Sequence, residues 1–262
     1  MIKNFIKDAL TYIFKDKQIF QKSAFLLLFM LLSSYSELFA LNFFSNAGKV
    51  QLPFINFAIL LILALLVMFF INGYKVDCIK NLMSKSEIPT FSLKKSFQFG
   101  VKYIFAAALF YLPLHYLIFG CGFFGPFSMT VEHAQVFFGN IGLFLLILLV
   151  PLILISALYS YVCLIGVNRI FAETEDWLSF LRFKEMFGLI KNNKKIYLIS
   201  AGVIFLLTLL NKLILFVVNP LFTNLDIAYL TIIPVTIVSI YEFFVSVFVA
   251  SKFTEYQADQ HQ

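Results

Sequence analysis

Charge is scarce in this chain. Asp, Glu, Lys and Arg make up 13% of its 262 residues, against about 25% in soluble domains. There are three cysteines, Cys78, Cys121 and Cys163, and no CxxC pair, so neither a disulfide framework nor a thiolate metal site is indicated. Histidine numbers three; Glu132-His133 lacks the second His of a HExxH zinc motif. "GCGFFG", Gly120 to Gly125, spells GxGxxG, but it follows an apolar run with no βαβ unit around it, so it is an exit turn rather than a dinucleotide loop. No Ser/His, Cys/His or paired-Asp arrangement has the spacing of a catalytic group. These absences exclude most enzyme classes, and the chain is expected to be non-catalytic and to need no cofactor.

What fills the sequence is hydrocarbon. Hydrophobic residues reach 61%, with 35 Phe, and the mean hydropathy is +0.91. A soluble fold of this length cannot hide so much apolar surface, so the expected solvent is partly lipid. Six runs are long enough to span a bilayer as helices: 23–41, 52–74, 103–124, 141–167, 196–218 and 227–250. The fold class expected is therefore all-α, a polytopic membrane protein with one six-helix domain over 1–250. A disordered cytoplasmic tail is expected over 251–262. About 22 residues precede the first run, too many for a signal-peptide n-region, so that run is expected to stay as an anchor.

Cations fix the orientation. Lys3, Lys7, Lys15, Lys17 and Lys22 precede span one; Lys75, Lys80, Lys85, Lys94, Lys95 and Lys102 lie between spans two and three. Arg169, Arg182, Lys184, Lys191, Lys194 and Lys195 lie between spans four and five, whereas the alternate loops hold only Lys49. The positive-inside rule then puts both termini in the cytoplasm, in a cytoplasmic (inner) membrane. The net charge of +6 is thus a leaflet asymmetry, and nucleic acid is not an expected partner.

An order repeats three times: amphipathic stripe, cations, two spans. Ile2, Phe5, Ile6, Ala9, Leu10 and Ile13 share one helical face. Leu93, Phe97 and Val101 form a weaker stripe, and Phe180, Phe183, Phe187 and Ile190 a third. These read as interfacial helices before spans one, three and five, dividing the chain into units of about 1–74, 75–167 and 168–250. The alternative for each helix is a linker wedged against the bundle. Lys15, Lys17, Lys94, Lys95, Lys191, Lys194 and Lys195 are the candidate contacts to anionic lipid headgroups. Nothing in the sequence decides between monomer and homo-oligomer.

Between Gly73 and Lys102 the chain resembles a bacterial and archaeal membrane family known as domain of unknown function 4013. The residues carrying the likeness are Gly73-Tyr74, Ile79-Lys80-Asn81, Ile88-Pro89 and Phe99-Gly100-Val101-Lys102. Ile88 stands where the family has Leu, and Thr90-Phe91-Ser92 replaces a more acidic turn. The resemblance implies a polytopic protein and transfers no catalytic residue. Read physically, Gly73 permits close backbone approach, Tyr74 is an aromatic anchor at headgroup level, Pro89 ends a segment, Thr90 or Ser92 caps the next helix, and Gly100 is a hinge.

Ionisable groups inside spans are costly and often functional. Four stand out: Glu37, His115, Lys212 and Glu242. At 1.5 Å per residue the first three lie about 21, 18 and 24 Å from the cytoplasmic ends, in the outer half of the bilayer, and Glu242 about 12 Å in. One reading gathers Glu37, His115 and Lys212 around an outer cavity, with Glu37 and Lys212 paired. The other lets Glu37 and Lys212 snorkel and His115 bond a carbonyl freed by Pro113. Glu242 has no basic residue in its own span and so needs a partner on another helix or an aqueous opening. Ser33, Ser34 and Ser36 read as small packing residues. Two functions follow. One is a non-catalytic membrane-organising or assembly protein in contact with anionic lipid; the other is a small transporter for a lipid-like or weakly polar solute.

Overall fold

The computed structural model describes residues 2–16, 18–45, 54–85, 87–108, 163–221 and 232–255. Among them there is helix and turn and no strand. We label the helices α1 (Ile2–Lys15), α2 (Ile19–Lys22), α3 (Ala24–Ser45), α4 (Phe54–Lys85), α5 (93–108), α6 (163–174), α7 (Phe183–Asn192), α8 (Lys194–Leu221) and α9 (Ile232–Lys252), with a 3-10 turn at Trp177–Leu181 before α7.

Among the described residues three stretches are long and apolar enough to cross a membrane: Ile62–Lys85, Lys194–Ile214 and Ile232–Lys252. Ala24–Tyr35 is an apolar stretch within α3. Many of their leucines and isoleucines face outward, including Leu28, Leu63, Leu206 and Ile237, the last 61% exposed. Contiguous apolar surface of this kind is unfavourable against water and neutral against lipid tails.

Helix α9 is the element the others share: α1, α3, α4 and α8 all pack on it. From Phe243 to Ser251 every residue of α9 is buried. Arg169 on α6 closes its C-terminal end. One guanidinium nitrogen donates to the Ser251 carbonyl at 2.7 Å, Nε pairs with Glu173 at 2.9 Å, and the cation lies 5.4 Å from the Phe253 ring centre. A cation donating to the last, otherwise unpaired carbonyls stabilises a helix end.

Helices α4 and α5 cross on two glycines. A methyl group at Gly73 would lie 1.6 Å from the Ser96 carbonyl oxygen, and one at Gly100 would lie 1.8 Å from that of Phe69. The backbones therefore touch, with Phe97 packed on Phe69 and Phe70 beside the crossing. Close approach at Gly73 is as expected. Gly100 is not a hinge, because α5 runs unbroken through it.

Several boundaries differ from the expectation. The second span does not close at Tyr74: α4 continues to Lys85, and 32 residues extend about 48 Å, well beyond a hydrocarbon core of about 30 Å. Tyr74 is not an interface anchor. It is fully buried, donates to the Pro89 carbonyl at 2.9 Å and stacks on Phe243. The stripe before span three is part of one helix with it, and that helix buries Ser96, Gly100 and Tyr103 while Leu93 and Phe97 are exposed. The stripe of α1 is a helix as expected, but Phe5, Ala9 and Ile13 are buried within the protein, with Phe5 and Tyr12 against Phe248. Tyr241 donates to the Leu10 carbonyl at 2.7 Å. Here the wedged alternative describes the apolar face. The ordered chain also passes residue 251, where a tail was expected: Phe253 is fully buried and packs edge-on to Tyr197. Most of the third and fourth expected spans lies outside the described residues.

Candidate functional site

A cavity of about 220 Å³ lies between α3, α4, α8 and α9, with Leu164 of α6 also in its wall, and polar side chains enter an otherwise apolar lining. Lys75 and Asn72 come from α4, Ser33 and Ser34 from α3, and Ser239 and Glu242 from α9. Helical periodicity explains the sets: residues three or four apart share a face, as Asn72 with Lys75, and Ser239 with Glu242 and Ser246. Lys75 and Glu242 each stand ten residues before the last residue of their helix, Lys85 and Lys252, about 15 Å along the axis.

Glu242 finds its neighbour on another helix, as its isolation in the sequence requires. The Thr208 hydroxyl on α8 donates to its Oε1 at 2.6 Å. That hydroxyl also lies 3.0 Å from the Ile204 carbonyl, the usual resting partner of a helical threonine. Lys75 interacts electrostatically with Glu242, yet the two do not close to an ion pair within 4 Å. Farther along α8, Asn211 donates to Ser239 at 2.8 Å and keeps a buried carbonyl oxygen without a hydrogen-bond partner. Thr236 donates to Ser34 at 3.1 Å. Ser33 and Ser34 thus line the chamber instead of only easing helix contact.

Of the four ionisable residues singled out by depth, the described side chains are those of Glu242 and Lys212. Glu242 faces the cavity, whereas Lys212, next to Asn211 on α8, is exposed. Glu37 sits in α3, but its side chain lies outside the described residues, as does His115 altogether. Lys75 was counted as a loop cation because Gly73-Tyr74 reads as the end of a span. Its spacing of three from Asn72, with no helix breaker before Lys85, is the signal that places it on an inward helical face.

A second polar group ties the basic ends of the helices. Glu175 follows α6 with φ 52°, the left-handed position that commonly ends a helix. There it pairs with Lys80 of α4 and, at 3.8 Å, with Lys102 of α5. Beside it, Asp176 caps the 3-10 turn by accepting from the Leu178 N–H at 3.1 Å and from Arg182 at 3.0 Å. Those two donors, the backbone one first, hold its carboxyl below the usual range. Trp177, Leu178 and Leu181, with Phe187 on α7, are exposed beside the exposed Lys184, Lys191, Lys194 and Lys195. Lys94 and Lys95 are exposed at the start of α5, Lys15 is engaged by Asp8 at 2.5 Å, and Lys17 lies outside the described residues. Among the described residues no cluster of three His, Cys, Asp or Glu side chains is placed to hold a metal ion.

The fold and cavity define a protein that is all-helical over its described residues, with apolar helices of membrane-spanning length around a chamber that holds a lysine, a glutamate and several neutral polar side chains. The chain belongs to the DUF4013 family, proteins of unknown function, whose family model matches residues 56–220. The Gly73–Gly100 crossing and Lys75 fall inside the matched range, and Glu242 outside it. No curated protein and no solved structure matches the chain.

Proposed function

We propose that this is a non-catalytic, six-span protein of the cytoplasmic membrane, with both termini inside, whose basic side holds anionic lipid headgroups. The observation that supports it most is the surface formed by the 3-10 turn and α7. Trp177 is 54% and Phe187 50% exposed, and four exposed lysines flank them within the stretch that leads into α8. Aromatic rings beside lysines at the mouth of an apolar helix suit the headgroup layer, where rings seek the interface and ammonium groups meet phosphate. Helix α1 contributes differently: its apolar face is occupied by α9, leaving its lysines to the surface.

Trp177 is the sequence's single tryptophan, so its fluorescence reports one site. In vesicles containing lipid brominated high on the acyl chain, its emission should be quenched. Lys191→Ala, Lys194→Ala and Lys195→Ala combined should reduce phosphatidylglycerol retained after extraction without changing phosphatidylcholine. An unquenched Trp177, or termini labelled from opposite faces, would defeat this reading. A second reading, a permease for a small solute, is favoured by one observation, the charged chamber around Lys75 and Glu242. It is tested by flux into proteoliposomes that is lost in Glu242→Gln.

A further inference from the structure

We infer that the chamber between α3, α4, α8 and α9 binds a small zwitterion: a molecule with an ammonium group and a carboxylate or phosphate a few atoms apart. The inference rests on the chamber alone and holds whether or not the ligand is moved across the bilayer.

The chamber presents one cation and one anion that share its wall without meeting. Lys75 feels Glu242 across the chamber, and no ion pair closes between the two within 4 Å. Glu242 has Thr208 at one oxygen. Opposite charges enclosed by protein are tolerated when they pair with good geometry, and each is costly when it does not. These two lie on helices both clamped by other contacts. Around Tyr74, α4 is held by Pro89 and Phe243; α9 is held by Arg169 at its end and by α1 along its flank. The gap is therefore part of the packed bundle, and a ligand bearing both charges satisfies both groups at once. A ligand ammonium meets Glu242, and a ligand carboxylate or phosphate meets Lys75. Asn72, Ser33, Ser34 and Ser239 add neutral hydrogen-bonding capacity for the remaining atoms. An apolar solute satisfies neither charge, and a singly charged one strands the other.

Size permits this class. At about 30 Å³ per water, 220 Å³ corresponds to about seven waters, more than enough room for a small amino acid or an ethanolamine phosphate group. It is below the range of about 300–1,000 Å³ usual for drug-sized ligands. The same chemistry has two sources, a free amino acid or the headgroup of phosphatidylethanolamine, and the test separates them.

The full-length protein is placed in nanodiscs of phosphatidylglycerol and its thermal unfolding is followed, because a ligand that binds only the folded state raises the midpoint with concentration. Three probes are compared: a mixture of the twenty common amino acids, soluble phosphoethanolamine, and nanodiscs doped with phosphatidylethanolamine. Acetate and ethylamine, each with one charge, are the controls. At least one zwitterion should raise the midpoint while both controls fail. Glu242→Gln and Lys75→Met should each weaken the effect about tenfold or more, as expected for losing a charge-assisted hydrogen bond. A response to amino acids identifies a solute; a response to phosphatidylethanolamine alone identifies the lipid. If no zwitterion acts, or the controls act equally, or Glu242→Gln responds like the parent, the inference falls. Should either charge variant fail to fold, the zwitterion-versus-control comparison on the parent protein, repeated with Ser239→Ala, decides it.

Discussion

Replacing either crossing glycine by alanine should loosen the α4–α5 pair, and the size of the effect follows from two distances. The added methyl at Gly73 meets the Ser96 carbonyl oxygen at 1.6 Å, and at Gly100 it meets the Phe69 oxygen at 1.8 Å. A carbon and a carbonyl oxygen rest no closer than about 3.3 Å, so the helices must separate by roughly 1.5 Å or more. The obstructing atoms are backbone and cannot rotate away. Overpacking of this kind costs about 3 kcal/mol at the upper end of its range. Removing a helical glycine returns about 1 kcal/mol, leaving a net loss of about 2 kcal/mol for each variant. The double variant should lose less than the sum, because one separation relieves both clashes. Gly202→Ala is the control: its methyl meets nothing within 4 Å, so only the propensity gain of up to about 1 kcal/mol remains. Denaturant or thermal unfolding in a mild detergent reads all four variants against the parent. If Gly73→Ala is as stable as the parent, or the two losses simply add, the backbone crossing is not what holds α4 to α5.

Arg169→Ala should destabilise the protein by about 2–3 kcal/mol, since it removes a cation bonded to a helix-end carbonyl. Arg169→Lys should recover only part of that, having no planar fork to serve Ser251, Glu173 and Phe253 together; unfolding midpoints of the two variants give the comparison. Thr208→Val should cost about 1–3 kcal/mol by leaving an oxygen of Glu242 without its donor, and a smaller change in the same assay would mean the Ile204 carbonyl is the hydroxyl's true partner. For Asp176 the folded carboxyl titrates below its unfolded value of about 3.9. Its contribution to the 3-10 turn is therefore present above that pH and lost as pH falls through the lower folded value. Trp177 fluorescence should report loosening below about pH 4. Asp176→Asn should remove this acid-side transition and leave the turn intact at neutral pH, where an amide can still cap; a parent-like acid transition in Asp176→Asn would assign it to another group.

How far the site could be read from the chain depended on which residue was asked. Glu242 declared itself, because a carboxylate with no cation in its own span must look to another helix, and Thr208 and Lys75 are there. Lys75 did not, since positive charge just after Gly73-Tyr74 looks like the start of a cytoplasmic loop. Only the uninterrupted α4 turns it inward. Ser33 and Ser34 were legible as small residues on a helix but not as cavity wall, because small residues serve close packing and polar lining equally well. The stripe of α1 announced a helix with one apolar face, and that face proved to lie on α9. Leu93, Phe97 and Val101 announced a helix but not its buried face, which is set by Gly100 fitting against Phe69 and not by where the largest side chains fall.

By itself the sequence determined the helical class, the apolar runs and the concentration of cations at one set of helix ends, since these follow from composition and periodicity along one dimension. The tertiary structure decided which apolar face meets protein, where α4 ends and which charges share a chamber. Those outcomes depend on how close two backbones can come and on which neighbours satisfy a buried polar group, and neither quantity belongs to any one stretch of chain.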